Sequence, residues 1–230
     1  MSHEYRYEIK FILNEINLTT ALDWIYSHTF IREKYDGRFV NSLYLDDLYF
    51  QAVKDNLVGL SRRRKIRFRW YRDGDGIKRF ALEYKNREGR LGYKEKFDLS
   101  LENRQKLLDQ PICELIDSAQ HLLTENPSIN CLAHSYYTPV LHIEYYRQYF
   151  EDYQGVRVTF DRQVKFRSLT ARGKIKEFPQ ITYPHIIMEI KFSPELKNYV
   201  EGILRFLPMT PKRHSKYLAG LAAFGFVSYI

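Results

Sequence analysis

The sequence predicts an α+β fold, an antiparallel sheet or barrel with helices between and after its strands. Two observations carry this. Six or seven short segments place charged residues on every second position with apolar residues in the gaps, the repeat of a strand with one polar face. Other stretches have helical spacing and helix-start residues. Strands are predicted near 4–12, 40–46, 63–71, 79–86, 92–99, 139–149, 155–163 and 184–192, rich in Tyr, Phe, Ile and Val.

In the first segment Arg6, Glu8 and Lys10 alternate with Tyr7, Ile9 and Phe11. Residues 16–30 read as a helix with Leu18, Leu22, Ile25 and Tyr26 on one face. Lys65, Arg67 and Arg69 alternate with Ile66, Phe68 and Trp70, and Asp73-Gly74-Asp75-Gly76 turns that strand into a hairpin. Glu83 and Lys85 alternate with Leu82 and Tyr84, and a second hairpin around Arg87 to Leu91 leads to Lys94 and Lys96. Ser100 reads as the cap of a helix over 101–109, and Pro111 as the start of another running to 123. Arg157, Thr159 and Asp161, then Glu189 and Lys191, mark the last strands. Ser193-Pro194-Glu195 is a helix start, with Leu196, Val200, Ile203, Leu204 and Leu207 as the apolar face. A last helix is expected after Pro211. No Gly/Ser linker or low-complexity block interrupts the chain, so residues 1–230 read as one domain.

The net charge of +8 and pI near 9.3 favour acidic partners: nucleic acid, phosphorylated metabolites, polyphosphate or an anionic membrane. Cys113 and Cys131 make no disulfide framework and read as buried or idle thiols in a reducing cytosol. The opening MSHEYRYEIK has no apolar core, so no signal peptide is expected. The most apolar stretch, 218–230, is shorter than the ~20 residues a membrane helix needs. A cytoplasmic protein without a membrane span is the expectation.

The polar strand faces are mainly cationic, and closing them inward would build a basic tunnel suited to a polyanion. On one strand Lys65, Arg67 and Arg69 stand ~6.6–6.8 Å apart, comparable to the phosphates of a triphosphate; the same pattern also suits a charged edge strand. Lys85, Lys94 and Lys96 either line that cavity or form an ion-pair ladder on a wet face. Glu8 and Glu189, each followed two residues later by a lysine, are hard-oxygen candidates for Mg²⁺ or Mn²⁺, with Asp161 a weaker third. Their alternative role is to neutralise Lys10 and Lys191. Lys212 and Lys216 would share a helix face, or lie in a solvated basic turn. No CxxC, HExxH, GxSxG, Walker A or GxGxxG pattern is present.

Taken in order, Arg6-Tyr-Glu8-Ile-Lys10-Phe, Ser42-Leu-Tyr44-Leu-Asp46, Lys65-Ile-Arg67-Phe-Arg69-Trp-Tyr, Glu83-Tyr-Lys85 and Lys94-Glu-Lys96 resemble a known family. Tyr145-Tyr-Arg147, Arg157-Val-Thr159-Phe-Asp161, Met188-Glu189-Ile-Lys191 and Ser215-Lys216-Tyr217 continue the resemblance over nearly the whole chain. The family is the VTC domain, the polyphosphate-polymerase branch of the triphosphate tunnel metalloenzymes, related to the CYTH proteins. The resemblance implies an eight-stranded antiparallel tunnel with flanking helices and a C-terminal helix. It implies a metal on Glu189, perhaps with Glu8, and phosphate-binding cations at Lys10, Arg67, Arg69, Lys85, Lys94, Lys96, Arg147, Arg157, Lys191 and Lys216. Tyr145 and Ser215 match positions that help hold the phosphate chain. Hydrolytic relatives begin Glu-x-Glu-x-Lys; Arg6 stands in the first place here, which moves the reading towards the polymerase branch.

The leading expectation is therefore a metal-dependent phosphotransferase that makes polyphosphate from ATP, with Arg67, Arg69, Lys85, Lys94 and Lys96 as catalytic cations. Lys65 joins the phosphate-binding set. Hydrolysis of triphosphate or nucleoside triphosphates in the same tunnel is one alternative, and a non-catalytic polyphosphate-binding module another. A nucleic-acid binder would interleave cations and exposed aromatics for stacking. Phe68 and Trp70 have the opposite strand parity from Arg67 and Arg69, which disfavours that reading.

Overall fold

The computed structural model of the chain describes residues 5–73, 76–98, 111–114, 137–169 and 173–228. In chain order these give β1 (Tyr7–Leu13), α1 (Glu15–His28), β2 (Arg32–Asp46), α2 (Gln51–Leu57), β3 (Arg62–Asp73), β4 (Gly76–Glu88) and β5 (Leu91–Asp98). Then follow β6 (Thr138–Glu151), β7 (Arg157–Ser168), β8 (Gln180–Thr182), β9 (Ile186–Phe192), α3 (Lys197–Leu204) and α4 (Lys216–Ala223). Of the two helices expected between β5 and β6, only 112–114 is described, and it is helical; the rest, with Cys131, lies outside the described residues. Cys113 is exposed rather than buried. Among the described residues no helix is long and apolar enough to cross a membrane.

The strands make one antiparallel sheet in the order β1-β9-β7-β6-β2-β3-β4-β5, with β8 on the far half of β7. Its two edge strands meet where Arg6 and Gly92 exchange backbone hydrogen bonds, both 3.0 Å. The implied eight-stranded barrel is thus a nine-stranded sheet whose edges touch at a single bridge, not along a continuous ladder.

Alternation assigns the faces. Lys65, Arg67 and Arg69 point to the concave side, while Ile66, Phe68 and Trp70 are buried in a core on the convex side. On β1 and β9 the convex residues Phe11, Leu13, Met188 and Ile190 pack under α1 and α3, with Leu18, Ala21, Trp24 and Ile25 as the inward stripe of α1. Tyr26, expected on that stripe, is 52 % exposed, because the helix turns Ala21 and Trp24 inward instead. Asn14 caps α1 through Asn17 N–H, and the Trp24 indole N–H donates to Ile203 O at 2.9 Å, tying α1 to α3. Ser193 makes no side-chain cap; a 3₁₀ turn at Pro194–Leu196 leads into α3 instead.

On β7 the inward parity changes. Arg147 pairs with Asp161 and Ile143 with Phe166, so two odd positions of β6 face an odd and then an even position of β7. The irregularity lies between Glu144 and Tyr146, opposite Gln163 with φ of 52°. A one-residue slip exchanges the two faces of a strand. Beyond it Val164 and Phe166 turn inward, so this end of the concave side is apolar, and α4 seats there with Tyr217, Leu218 and Leu221. Asp46 anchors the seat: it accepts from the Tyr217 hydroxyl at 2.7 Å and from the N–H groups of Ala52 and Val53, which start α2. A Cβ on Gly220 would stand 2.5 Å from Leu141 Cδ2 and 2.9 Å from Phe166 Cδ1. Gly220→Ala is therefore expected to lift α4 and cost about 1–3 kcal/mol, read as a lower urea midpoint; an unchanged midpoint would show that α4 is not pressed on the sheet.

Candidate active site

The concave side encloses a cavity of about 710 Å³ lined from β1 to β7, β9 and the start of α4. Sixteen lysines and arginines border it against three glutamates, counted among the described residues. Many of these cations are held by carboxylates at or behind the wall.

Glu83, on β4, is 0 % exposed and gathers one group. Arg67 donates from Nε and Nη2 to Glu83 Oε2 at 3.0 and 2.8 Å, and Lys94 donates to Oε1 at 2.9 Å. Arg69 lies 3.6 Å from the same carboxylate and donates from Nη2 to Tyr145 Oη at 2.9 Å and Ser42 Oγ at 3.2 Å. Arg67 Nη1 reaches Tyr44 Oη at 2.8 Å. Burial would raise the Glu83 carboxyl, but Arg69, Arg67 and Lys94 outweigh it and keep the group ionised.

A second group spans β1, β4, β6, β7, β9 and α4. Asp161 takes a two-pronged contact from Arg147 at 2.5 and 2.7 Å and an ion pair from Lys216 at 2.5 Å. Glu189 holds Lys191 at 2.6 Å, Lys216 at 2.9 Å, Arg147 at 3.3 Å and Lys10 at 3.5 Å. Glu8 holds Lys85 at 2.6 Å and Lys10 at 3.3 Å. Burial opposes ionisation of both glutamates, yet Lys10 and Lys85 around Glu8, and Lys191 and Lys216 around Glu189, hold each carboxyl well below its usual range. The suspected neutralising pairs Glu8–Lys10 and Glu189–Lys191 both form, inside a larger network.

Fourteen of the residues expected at the site border this cavity: Glu8, Lys10, Lys65, Arg67, Arg69, Lys85, Lys94, Tyr145, Arg147, Arg157, Glu189, Lys191, Ser215 and Lys216. Ser215 caps α4 through Leu218 N–H and accepts from Lys65 Nζ at 2.9 Å. Arg157 lies at the rim, paired with Glu151 at 3.4 Å. Three candidates are elsewhere. Lys96 falls outside the lining and pairs with Asp98 near the end of β5. Asp161 is fully buried behind the lining, where Arg147 and Lys216 hold its oxygens. Lys212 is exposed and precedes α4, which begins only at Lys216, so the two do not share a helix face.

Glu83, Ser42, Tyr44 and Tyr71 stand in the sequence motifs without an assigned role in the site, and Arg38 and Tyr149 stand in none; all of these but Glu83 line the cavity. Arg38 lies over the rings of Tyr71 and Tyr149, 4.8 and 4.9 Å from their centroids. The inward parity of Ser42 and Tyr44 was readable from 40–46; the role of Glu83 was not, because alternation gives its face and not its partners.

For a divalent cation the donors on offer are Glu8 and Glu189, both at the cavity wall. Among the described residues no three His, Cys, Asp or Glu side chains converge. That set fits Mg²⁺ or Mn²⁺, which take one or two carboxylates with phosphate oxygens and water, and does not fit a structural zinc site.

Two cavity lysines sit in a different balance. Burial, with Lys10 and Lys85 nearby, pushes the Lys65 ammonium well below its usual range. Burial pushes Lys85 down to about 8 despite Glu8. Each is cationic below its own value and loses its charge as pH rises through it. A bound polyanion favours the charged forms, so tripolyphosphate binding near pH 8 is expected to take up protons and to weaken from pH 7 to 9. Calorimetry in buffers of different ionisation heat measures that uptake; a buffer-independent heat would exclude it.

A family model described as the VTC domain matches residues 5–225. A search of curated proteins finds no match. Among solved structures, the PH1819 protein from Pyrococcus horikoshii OT3 is 15 % identical, with 96 % of this chain and 99 % of that one covered at a TM-score of 0.56. HpAC1 from Hippeastrum, a candidate adenylyl cyclase with a dominant triphosphatase activity, is 12 % identical, with 96 % of each chain covered and a TM-score of 0.55. A candidate adenylate cyclase from Vibrio parahaemolyticus is 12 % identical, with 94 % of this chain and 98 % of that one covered and a TM-score of 0.53. At such identities the three likenesses establish a shared fold. With its family model spanning nearly its full length, the chain belongs to the VTC domain family.

Proposed function

We propose that the protein is a metal-dependent phosphotransferase that passes the γ-phosphate of ATP to the end of a polyphosphate chain and releases ADP. The observation that carries this reading is the excess of sixteen lysines and arginines over three glutamates around one cavity. In this reading the curled sheet is a tunnel, residues 1–230 act as one domain, and the reaction takes place in the cytoplasm, where ATP is supplied.

Phosphoryl transfer asks mainly for positioning and charge stabilisation. Arg67 and Arg69 present planar forks, suited to two oxygens of one phosphate, while Lys85 and Lys94 act as point charges. Lys10, Lys65, Arg147, Arg157, Lys191 and Lys216 hold the rest of the chain, with hydrogen bonds from Tyr145 and Ser215. Lys96 has a lesser part, since it lies outside the cavity lining. Glu189 and Glu8 would hold Mn²⁺ or Mg²⁺, which would supply neutralisation of phosphate charge. The acceptor, a terminal phosphate, is already anionic and needs no general base.

Incubating the protein with ATP and Mn²⁺ or Mg²⁺ and resolving the products tests this. Long phosphate polymers with ADP are expected. Free phosphate alone would replace the reading with triphosphate hydrolysis; tight tripolyphosphate binding without turnover would replace it with a binding module. Glu189→Gln is expected to raise the metal concentration needed for half-maximal rate by at least about tenfold. An unchanged metal dependence would remove Glu189 from the metal site.

A further inference from the structure

Among the arginines that line the large cavity, Arg67, Arg69, Arg147 and Arg157 each face a carboxylate. Arg38, on β2, lines the same cavity with no carboxylate partner among the described residues. Its guanidinium lies over two rings from the neighbouring strands, Tyr71 of β3 and Tyr149 of β6, and Nε donates to Tyr149 Oη at 3.3 Å. Nη1 and Nη2 donate to no described residue, and neither is enclosed. Arg63 and Arg87, towards the other end of β3, also lack a carboxylate but rest on the backbone carbonyls of Leu60 and Gly89.

Local sequence puts the guanidinium there. β2 shifts register against β6 between Glu33 and Tyr35 and again between Tyr35 and Arg38, and regular pairing then runs from Arg38 to Tyr44. Gly37 leaves room for Tyr146, whose Oη would stand 2.2 Å from a Cβ at that position. Arg38 thereby shares the inward face of Ser42 and Tyr44, with Arg147 directly opposite it on β6. Like charges directly opposite each other destabilise an antiparallel pair. Asp161 and Glu189 compensate Arg147. No described residue compensates Arg38: tyrosine rings attract a cation without neutralising it, and water satisfies its N–H groups without supplying a charge.

What is missing at Arg38 is a negative charge, and the parallel N–H groups of a planar fork suit two oxygens of one phosphate. We infer that Arg38 forms an outer phosphate subsite, engaged by a phosphate chain longer than a triphosphate. In the function proposed above, on which this subsite rests, Arg67 and Arg69 hold the reacting phosphates. Arg69 meets Ser42 Oγ, and Arg38 stands ~13 Å further along β2, at four residues of regular strand. The subsite therefore holds the acceptor chain beyond the reacting phosphates and separates a polymer from a short acceptor. Because no resident carboxylate must leave, the chain meets Arg38 without breaking an ion pair, unlike the paired cations deeper in. No covalent step is involved.

The test uses the full chain without nucleotide, titrated calorimetrically with tripolyphosphate and with a size-fractionated polyphosphate several times longer. In Arg38→Gln the affinity for the longer chain should fall about tenfold or more, as for loss of a charged hydrogen bond, while tripolyphosphate affinity stays within a few-fold of the parent's. The slope of log affinity against log salt for the longer chain should shrink by about one, as when one phosphate contact on a polyanion is lost. Arg38→Lys keeps the charge and loses the fork, so it should restore the slope but not the affinity, and it gives the comparison if Arg38→Gln does not fold. Unchanged affinity and slope for the longer chain in Arg38→Gln would leave Arg38 a stacked structural side chain and overturn the subsite. Equal losses for both ligands would place Arg38 among the inner cations and overturn it as well. A parent that binds neither ligand would overturn the proposed function together with the subsite, a result distinct from the other two.

Discussion

Glu83→Ala is expected to lower folding stability by about 3–5 kcal/mol, the usual loss when one partner of a buried ion pair is removed. The carboxylate is completely enclosed and compensates Arg67, Arg69 and Lys94 at once. Without it, two buried guanidinium groups on one strand face each other with only the hydroxyls of Tyr44, Ser42 and Tyr145 for company. Urea denaturation reads the loss as a lowered midpoint at constant slope. Tripolyphosphate should restore more stability to the variant than to the parent, because the added anion takes over the missing charge. A midpoint within experimental error of the parent's would mean that Arg67 and Arg69 find compensation elsewhere.

Arg69→Ala is expected to lower the proposed transfer rate about 10²–10³-fold, the range seen when a preorganised donor to developing charge is removed. Its fold should survive, since Glu83 keeps Arg67 and Lys94 as partners. Arg69→Lys should not recover the rate: the guanidinium uses Nε and Nη2 together on Ser42, and an ammonium cannot reproduce that fork. The measurement is a single-turnover rate at saturating ATP, with circular dichroism as the control for folding. A rate within a few-fold of the parent's would place Arg69 among the structural ion pairs.

Much of this was legible in the sequence because a period of two is unambiguous where one face is charged and the other apolar. Lys65 to Trp70, Glu8 to Phe11 and Met188 to Phe192 all came out on the faces their parity predicts. The first half of β2, Arg32 to Phe39, escaped because its residues are polar on both faces and it is held by pairing with β6. The three-residue β8 is too short to show a pattern. α2 escaped because its cap lies outside the helix, in the carboxylates of Asp46 and Asp47. Nothing local announces the slip at Gln163, yet it turns Phe166 inward and creates the seat for α4. Lys96 shows the limit of parity: it names a face, and a neighbour such as Asp98 decides where the ammonium goes.

The glutamates at and behind the wall of the large cavity have a consequence for how tightly it can grip. Because Glu8 already pairs with Lys10 and Lys85, Glu83 with Arg67 and Lys94, and Glu189 with Lys191 and Lys216, an anion that reaches those cations swaps places with resident counter-ions. Each new contact is bought by breaking an old one, so the net gain per phosphate is a small difference between large terms. A lining that carries its own counter-ions is thereby compensated when vacant, and its grip on an anion depends on how many of those pairs the anion can displace at once.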